Sequence, residues 1–477
     1  MQLICLLLAC ASPAEAVPSH PRELALTPRP AAPPRPEDHR ARLAGGLAAY
    51  LGRDAAAPAV RLTLRFKTGA WLDPAGKEGL AEGAAALFRT GGTARLAPEE
   101  LDRALEDGAI EISADAEPDA FTVSLWSLTR CMEPALRLLA EMLRSPRVDA
   151  ERLAVWKAQK LQALAALHDR PDEILRLYWR DLLWGSGHVV GRRPARAAIA
   201  AIEPADIKAW LAAWLTPGNC ILAATSDLPV ADLAAALDAH LAGWEGAAAA
   251  WPPLPDPLPP EPPGIYVVRR DLAQCAVRLG HRSIKYGDPE HHALLVLSEA
   301  LGGGSFQSRL TGRVRVQEGL TYGIASFVAP GWKFPGTVFI QFNTDASRAA
   351  RALAITMEEI ERLAAHGLPE DELASTVETM VARFAGAFED LHGALAAIAR
   401  LEHEGRPPDY YTTYVARLRA LTRAEIAQAA KKFLKPGEIR VLIAGDPDKL
   451  REGAAKDGIA LETFGPLKEL PIRNPME

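Results

Sequence analysis

The sequence predicts an α+β protein of two similar domains of about 200 residues, each a mostly antiparallel sheet with helices packed on one face. Three observations carry this. A proline cluster from Pro252 to Pro263 divides the chain near its middle. The stretches on either side repeat one order: strand, helix, hairpin strands, long helices, closing strand. The chain has 477 residues, 49% hydrophobic and 24% charged, which suits a globular body too long for one ordinary core.

In the first half, Val60, Leu62, Leu64 and Phe66 alternate with Arg61, Thr63 and Arg65, the period of a half-buried strand. Helices are expected over 79–89 and 99–107, and paired strands over 110–114 and 120–125. Apolar stripes at helical spacing mark long helices over 132–143 and 150–168, and the apolar run 220–224 closes the half as a strand. In the second half, 276–280 reads as a strand and 289–301 as a helix. Gly319 is placed to stop a helix, so a strand is expected from Leu320 and through 322–327, with a second over 337–342. Helices over 346–366 and 369–387 and a strand over 440–445 complete it. The starts at Pro289, Pro369 and Thr422 carry generic capping patterns. The expected division is a leader over 1–16, a Pro-rich tether over 17–42, an N-terminal domain over 43–248, a Pro-rich linker over 249–264, a C-terminal domain over 265–465 and a tail over 466–477.

Net charge is only −6 and no basic block occurs, so nothing points to nucleic acid. The apolar run 3–10 is too short to span a bilayer and resembles the core of a secretion signal, followed by the small-residue site Ala14-Glu15-Ala16. Leu7-Leu8-Ala9-Cys10 also resembles a lipoprotein cleavage box, which makes Cys10 the candidate lipidation site. The expectation is export, to the periplasm or to a membrane surface through a lipid anchor. Cys131, Cys220 and Cys275 stand far apart without a C-x-x-C and read as buried free thiols. His291 and His292 are adjacent and point apart, and His403, between Glu402 and Glu404, reads as a solvated helix end.

The stretch 79–93, GLAEGAAALFRTGGT, follows Lys67-Thr68-Gly69-Ala70. Together they resemble the frame of the insulinase-like zinc peptidases, the group of pitrilysin and mitochondrial processing peptidase, and the resemblance extends over the chain beyond the leader. In active members the helix within this frame carries H-x-x-E-H. Two His at i and i+4 share a helix face and can bind one Zn²⁺, and the Glu beside them accepts a proton from metal-bound water. The three positions are Glu82, Ala85 and Ala86 in this chain. The family's third ligand is a Glu on a later helix, and the corresponding stretch, 155–164, has no carboxylate. No zinc is therefore expected in this chain, and Glu82 reads as a first-turn acid favoured by the helix dipole.

The second half keeps more of the family pattern. Gly302, Gly303, Gly304 and Ser305 resemble its glycine-rich segment, which implies substrate binding; a plain helix-to-helix turn is the competing reading. Arg315 and Tyr322 match its R-x-x-x-G-L-x-Y pattern. The resemblance implies that this pair reaches substrate held at the zinc of the opposite half, the Arg on a peptide carbonyl and the Tyr on the oxyanion.

The reading this favours is a non-catalytic subunit of a heteromeric zinc endopeptidase. A zinc-bearing sister subunit would supply the Zn²⁺, this chain would supply Arg315 and Tyr322, and extended peptides would be the substrates. An inactive scaffold of the same fold, like the family's core subunits in respiratory complexes, is the alternative. A peptidase acting alone would need a metal site the sequence does not display.

Overall fold

The computed structural model describes residues 33–272, 274–303 and 307–472. The expected leader, Cys10 and most of the expected tether lie outside them. The first half runs α1 (Pro36–His39), β1 (Arg40–Arg42), β2 (Ala48–Arg53), β3 (Ala59–Phe66), α2 (Leu80–Thr90), α3 (Pro98–Asp107), β4 (Glu111–Ala116), β5 (Phe121–Leu128), α4 (Met132–Arg144), α5 (Ala150–Ala165), α6 (Pro171–Trp184), α7 (Arg196–Ala201), α8 (Pro204–Trp214), β6 (Cys220–Ser226) and α9 (Val230–Leu241). The second runs β7 (Gly264–Arg269), β8 (Cys275–Arg282), α10 (His291–Gly302), a π-helix (Thr311–Gln317), β9 (Ile324–Ala329), β10 (Thr337–Thr344), α11 (Ala349–His366), α12 (Glu370–Gly386), α13 (Leu391–His403), α14 (Tyr410–Arg419), α15 (Arg423–Phe433), β11 (Arg440–Gly445), α16 (Pro447–Lys456) and β12 (Leu467–Leu470).

Two six-stranded sheets result, in the orders β1-β2-β6-β3-β5-β4 and β12-β7-β11-β8-β10-β9. In the first, only β2 and β6 run parallel. In the second, β7 runs parallel to both β11 and β12 and the other pairs are antiparallel. Each half has its own main core between the sheet and its own helices. The opposite face of each sheet is covered by a helix of the other half. On the first sheet, Leu395, Ile398 and Ala399 of α13 bury Tyr50, Ile221 and Ala223. On the second, Ile174, Leu175, Tyr178, Trp179, Leu182 and Leu183 of α6 bury Tyr266, Val268, Ala276, Leu442 and Ala444. The closing strands β6 and β11 are consequently buried at every residue.

Polar groups on α13 fix its register on the first sheet. The Tyr50 hydroxyl donates to Glu402 at 2.6 Å, and Arg40 and Arg61 pair with Glu402 and Asp390 at 2.8 and 2.7 Å. The His392 ring sits between the hydroxyls of Thr63 and Thr225, at 3.0 and 3.2 Å. A neutral imidazole has one donor and one acceptor nitrogen and satisfies both contacts.

Three expectations are corrected here. The expected tether over 17–42 ends earlier, because α1 and β1 lie within 36–42, and β1 pairs with β2 and occupies that sheet's edge. The tail over 466–477 contributes β12, which adds parallel to β7. Both segments are short and lack the alternation that marks longer strands. His403 is not solvated: it is 2% exposed, its ring lies 5.1 Å from that of Trp332, and its Nε2 is 3.1 Å from the carbonyl of Asp119. Cys220 and Cys275 are buried, and Cys131 is half-buried.

Because each half lends the other a core helix, Leu395→Ala should lower the unfolding free energy by about 2–5 kcal/mol and shift the fluorescence transitions of both halves together in a urea titration. Burial holds the His392 pKa near 4, below its ordinary 6.5. Its neutral-ring contribution is complete above pH 6.5 and is lost as pH falls through about 4. The stability advantage of wild type over His392→Gln should therefore shrink between pH 6.5 and 4, read from urea midpoints at each pH.

Candidate functional site

α2 starts where Gly79 takes φ 104°, and Asp73 caps it: its two carboxylate oxygens accept from the backbone N–H of Gly79 and Ala81 at 2.8 and 2.9 Å. Asp73 is only 4% exposed, and burial pushes its carboxyl up to about 7, against the pull of those two N–H groups and of Arg192. Leu80, Ala84, Leu87 and Phe88 bury the helix in the first core. Ala85 is buried too, and Ala86 packs at its margin.

α5 faces α2 with Trp156 and Lys160, one turn apart. The Lys160 ammonium pairs with the Glu82 carboxylate. The Trp156 ring lies so close to Gly83 that a Cβ there would come within 3.0 Å of it. The stretch that resembles the zinc-binding helix thus holds an ion pair beside an indole. Zinc needs three protein donors in tetrahedral directions. Two of the positions here are methyl groups and the one carboxylate is neutralised by an ammonium, so the residues do not fit the metal. Among the described residues, no group of three or more His, Cys, Asp or Glu could hold a metal ion.

Arg315 and Tyr322 come together in the second half. Both line one cleft of about 760 Å³. Arg315 lies on the last turn of the π-helix, whose wider turn re-aims side chains relative to an α-helix. Gly319 then reverses the chain with φ 60°. Tyr322 does not lie on a strand, as expected; it precedes β9 in a turn pinned by Thr321, whose hydroxyl donates to the carbonyl of Asn343 at 2.7 Å and accepts from the N–H of Gly323 at 3.1 Å. Tyr322 is 87% exposed. Gly302 and Gly303 end α10, and a Cβ on Gly302 would meet the Ser326 backbone nitrogen at 2.8 Å. Packing against β9 therefore accounts for Gly302. Gly303 lines a separate hollow of about 360 Å³ that shares Phe327 with the larger cleft. Gly304 and Ser305 lie outside the described residues.

The cleft also contains residues that sequence reasoning missed. Arg278 on β8 stacks over the Phe339 ring at 4.7 Å from its centroid and donates through Nε to the Gln341 side-chain oxygen at 3.0 Å. The Gln341 amide donates in turn to Asp172 at the start of α6, at 3.0 Å. Phe327 and Phe339 stack at 4.9 Å. An Arg within the apolar run of 275–280 was the available signal. Asp172, Arg176 and Arg180 are spaced one turn apart along α6, so they share a face. Arg180 lies in electrostatic reach of both Glu82 and Arg278. Of that face, Asp172 lines the cleft.

The fold invites comparison with zinc peptidases, while Glu82, Ala85 and Ala86 on α2 do not fit a metal ion. A family model described as "Peptidase M16 inactive domain" matches residues 201–380. The chain is 23% identical over 311 residues to "Uncharacterized zinc protease SCO5738" of Streptomyces coelicolor, covering 63% of this chain and 66% of that protein. It is 22% identical over 391 residues to "Non-peptidase homolog YmxG" of Helicobacter pylori, covering 81% and 89%. Among solved structures, a peptidase M16 inactive domain from Pseudomonas fluorescens superposes with TM-score 0.77 at 24% identity, over 85% of this chain and 97% of that one. The periplasmic protease PqqL from Escherichia coli superposes with TM-score 0.71 at 17% identity, over 85% of this chain and 45% of that one. The chain thus spans just under two thirds of the first of these curated relatives. These matches make the chain similar to the insulinase-like M16 peptidases, with residues 201–380 matching a domain described as inactive.

A graft tests the reading of the α2 site. Glu82→His, Ala85→Glu and Ala86→His together should still fail to bind stoichiometric zinc while Lys160 is present. Adding Lys160→Glu should raise zinc content, measured by metal analysis after dialysis.

Proposed function

We propose that this chain is the zinc-less subunit of a heteromeric M16 metalloendopeptidase, contributing substrate-binding and oxyanion-stabilising groups to a zinc-bearing sister chain. The observation that carries this is a contrast between the halves. The α2 site is closed by the Lys160–Glu82 pair, while Arg315 and the exposed Tyr322 line a cleft of about 760 Å³. A purely structural module has no use for an exposed tyrosine hydroxyl beside an arginine at a cleft. The cleft borders β9, the last strand of its sheet, whose outer edge suits an extended peptide. The scaffold reading draws on the name of the Helicobacter relative, a non-peptidase homolog. Export belongs to the proposal: the structural relative PqqL is periplasmic, and no helix among the described residues is long and apolar enough to cross a membrane. A lipid anchor at Cys10 would hold the complex at a membrane surface.

Co-purification from the native source, with metal analysis and a peptide-cleavage assay, tests this. The isolated chain should carry no stoichiometric zinc and cleave nothing, and the complex should show chelator-sensitive cleavage. In the complex, Tyr322→Phe should lower kcat on the order of 10²-fold with little change in KM, the signature of a transition-state contact. Chelator-sensitive cleavage by the isolated chain would overturn the proposal, and unchanged kinetics would remove Tyr322 from the role given to it.

A further inference from the structure

The hollow of about 360 Å³ that shares Phe327 with the cleft lies on the other side of β9. The strand register separates the two. Phe327 pairs with Phe339, and Gln341 with Arg278, so these cleft side chains share one face of the sheet. Ser326 and Val328 take the opposite face, where α10 packs, and they line the hollow. Its other walls are Leu295 of α10, Met380 and Phe384 of α12, and Tyr414 of α14. The rings of Phe384 and Tyr414 stack at 4.6 Å. Phe327, 46% exposed, stands between hollow and cleft.

Two polar pairs sit at this hollow, and each is closed on itself. Arg383 donates to both carboxylate oxygens of Glu299, at 2.8 and 3.0 Å. The hydroxyls of Ser298 and Ser326 bond to each other at 2.8 Å. A charged guest would have to break the bidentate pair or sit among apolar walls without a counter-charge, and both are costly. A neutral apolar guest only takes its own surface and that of the walls out of water. An aromatic guest also finds the Phe384–Tyr414 stack and the Met380 thioether, which favour ring contacts. The free edge of β9 runs between this hollow and the cleft.

We propose that this hollow anchors a large apolar side chain, Phe above all, of an extended peptide paired with the free edge of β9. Successive side chains of an added strand alternate between the two faces of a sheet. One residue of the peptide therefore enters the hollow, and its two neighbours face the cleft side, with Phe327 between them. This rests on the peptide-holding reading above and names the sequence feature that a held peptide carries: an apolar anchor flanked by residues that meet the cleft.

The test is fluorescence anisotropy on the full chain with labelled, unstructured peptides about twelve residues long, identical except at one central position. That position holds Phe, Ala, Glu or Lys. The Phe peptide should bind at least about tenfold more tightly than the Ala peptide, and the Glu and Lys peptides no better than Ala. Ala387 is exposed at the lip of the hollow, just past the end of α12, so Ala387→Trp fills the space from outside the core. It should bring the Phe peptide to the affinity of the Ala peptide and leave the Ala peptide unchanged. If that variant fails to fold by circular dichroism, Phe384→Ala, which removes a wall, carries the test and should cut the Phe advantage at least about threefold. Equal binding of all four peptides, preference for a charged one, or a Phe advantage that survives in folded Ala387→Trp overturns the anchor and leaves peptide holding intact. Self-association in sedimentation velocity that Ala387→Trp abolishes gives the hollow to a second copy of the chain and also overturns the anchor. Binding of none of the four by folded wild type overturns both.

Discussion

Every feature of this molecule depends on the exchange of helices between its halves. A sheet with one apolar face needs one layer of helices, but β6 and β11 are buried at every residue and need two. The second layer comes across the midline: α13 on the first sheet and α6 on the second. The Pro-rich linker between the halves need not be stiff for the halves to hold one orientation. Their relation is fixed by two buried helices and by His392, Glu402 and Asp390 reaching the first sheet. The space between α2 and the cleft is thus as well defined as the cores themselves.

The place of α2 in the first half does not depend on a metal. α2 is held by Asp73 at its start and by Leu80, Ala84, Leu87 and Phe88 along its buried side, none of which has metal to do with it. Ala85 and Ala86 bring no polar group to this buried margin, where an unsatisfied polar atom is costly. The one acid that remains, Glu82, meets the charge of Lys160.

The element pattern was legible because it rests on local signals. The alternation in β3, the capping box joining Thr422 to Glu425 and the apolar stripes of α11 and α12 all lie within a few residues of sequence. Glu82, Ala85 and Ala86 were legible as gaps in a known spacing. What escaped was set by distant parts of the chain. His403 looks solvated between two acids, and only folding brings Trp332 and Asp119 against it. β12 and β1 are too short to show a period, and their strand character comes from the neighbours they complete. Arg278 and Asp172 lie about a hundred residues apart and share a network through Gln341, which belongs to neither local pattern. The unbroken apolar runs at 220–224 and 441–444 did carry the sign of a second covering layer, though not which helix would provide it.

α6 joins these strands of the argument. Its apolar side is a structural necessity for the second sheet, and that necessity fixes where its other side points. Asp172, Arg176 and Arg180 occupy that other side at helical spacing, so their charges are delivered between α2 and β8 by packing that cannot vary freely. Charge in this region can change by substitution on one exposed helix face without disturbing a core. The α2 positions have no such freedom, because Ala85 and Ala86 sit at the buried margin of that helix. The cleft that Arg315 and Tyr322 line is built mainly on the second core, and α2 rests on the first, so side chains at the two places can vary independently.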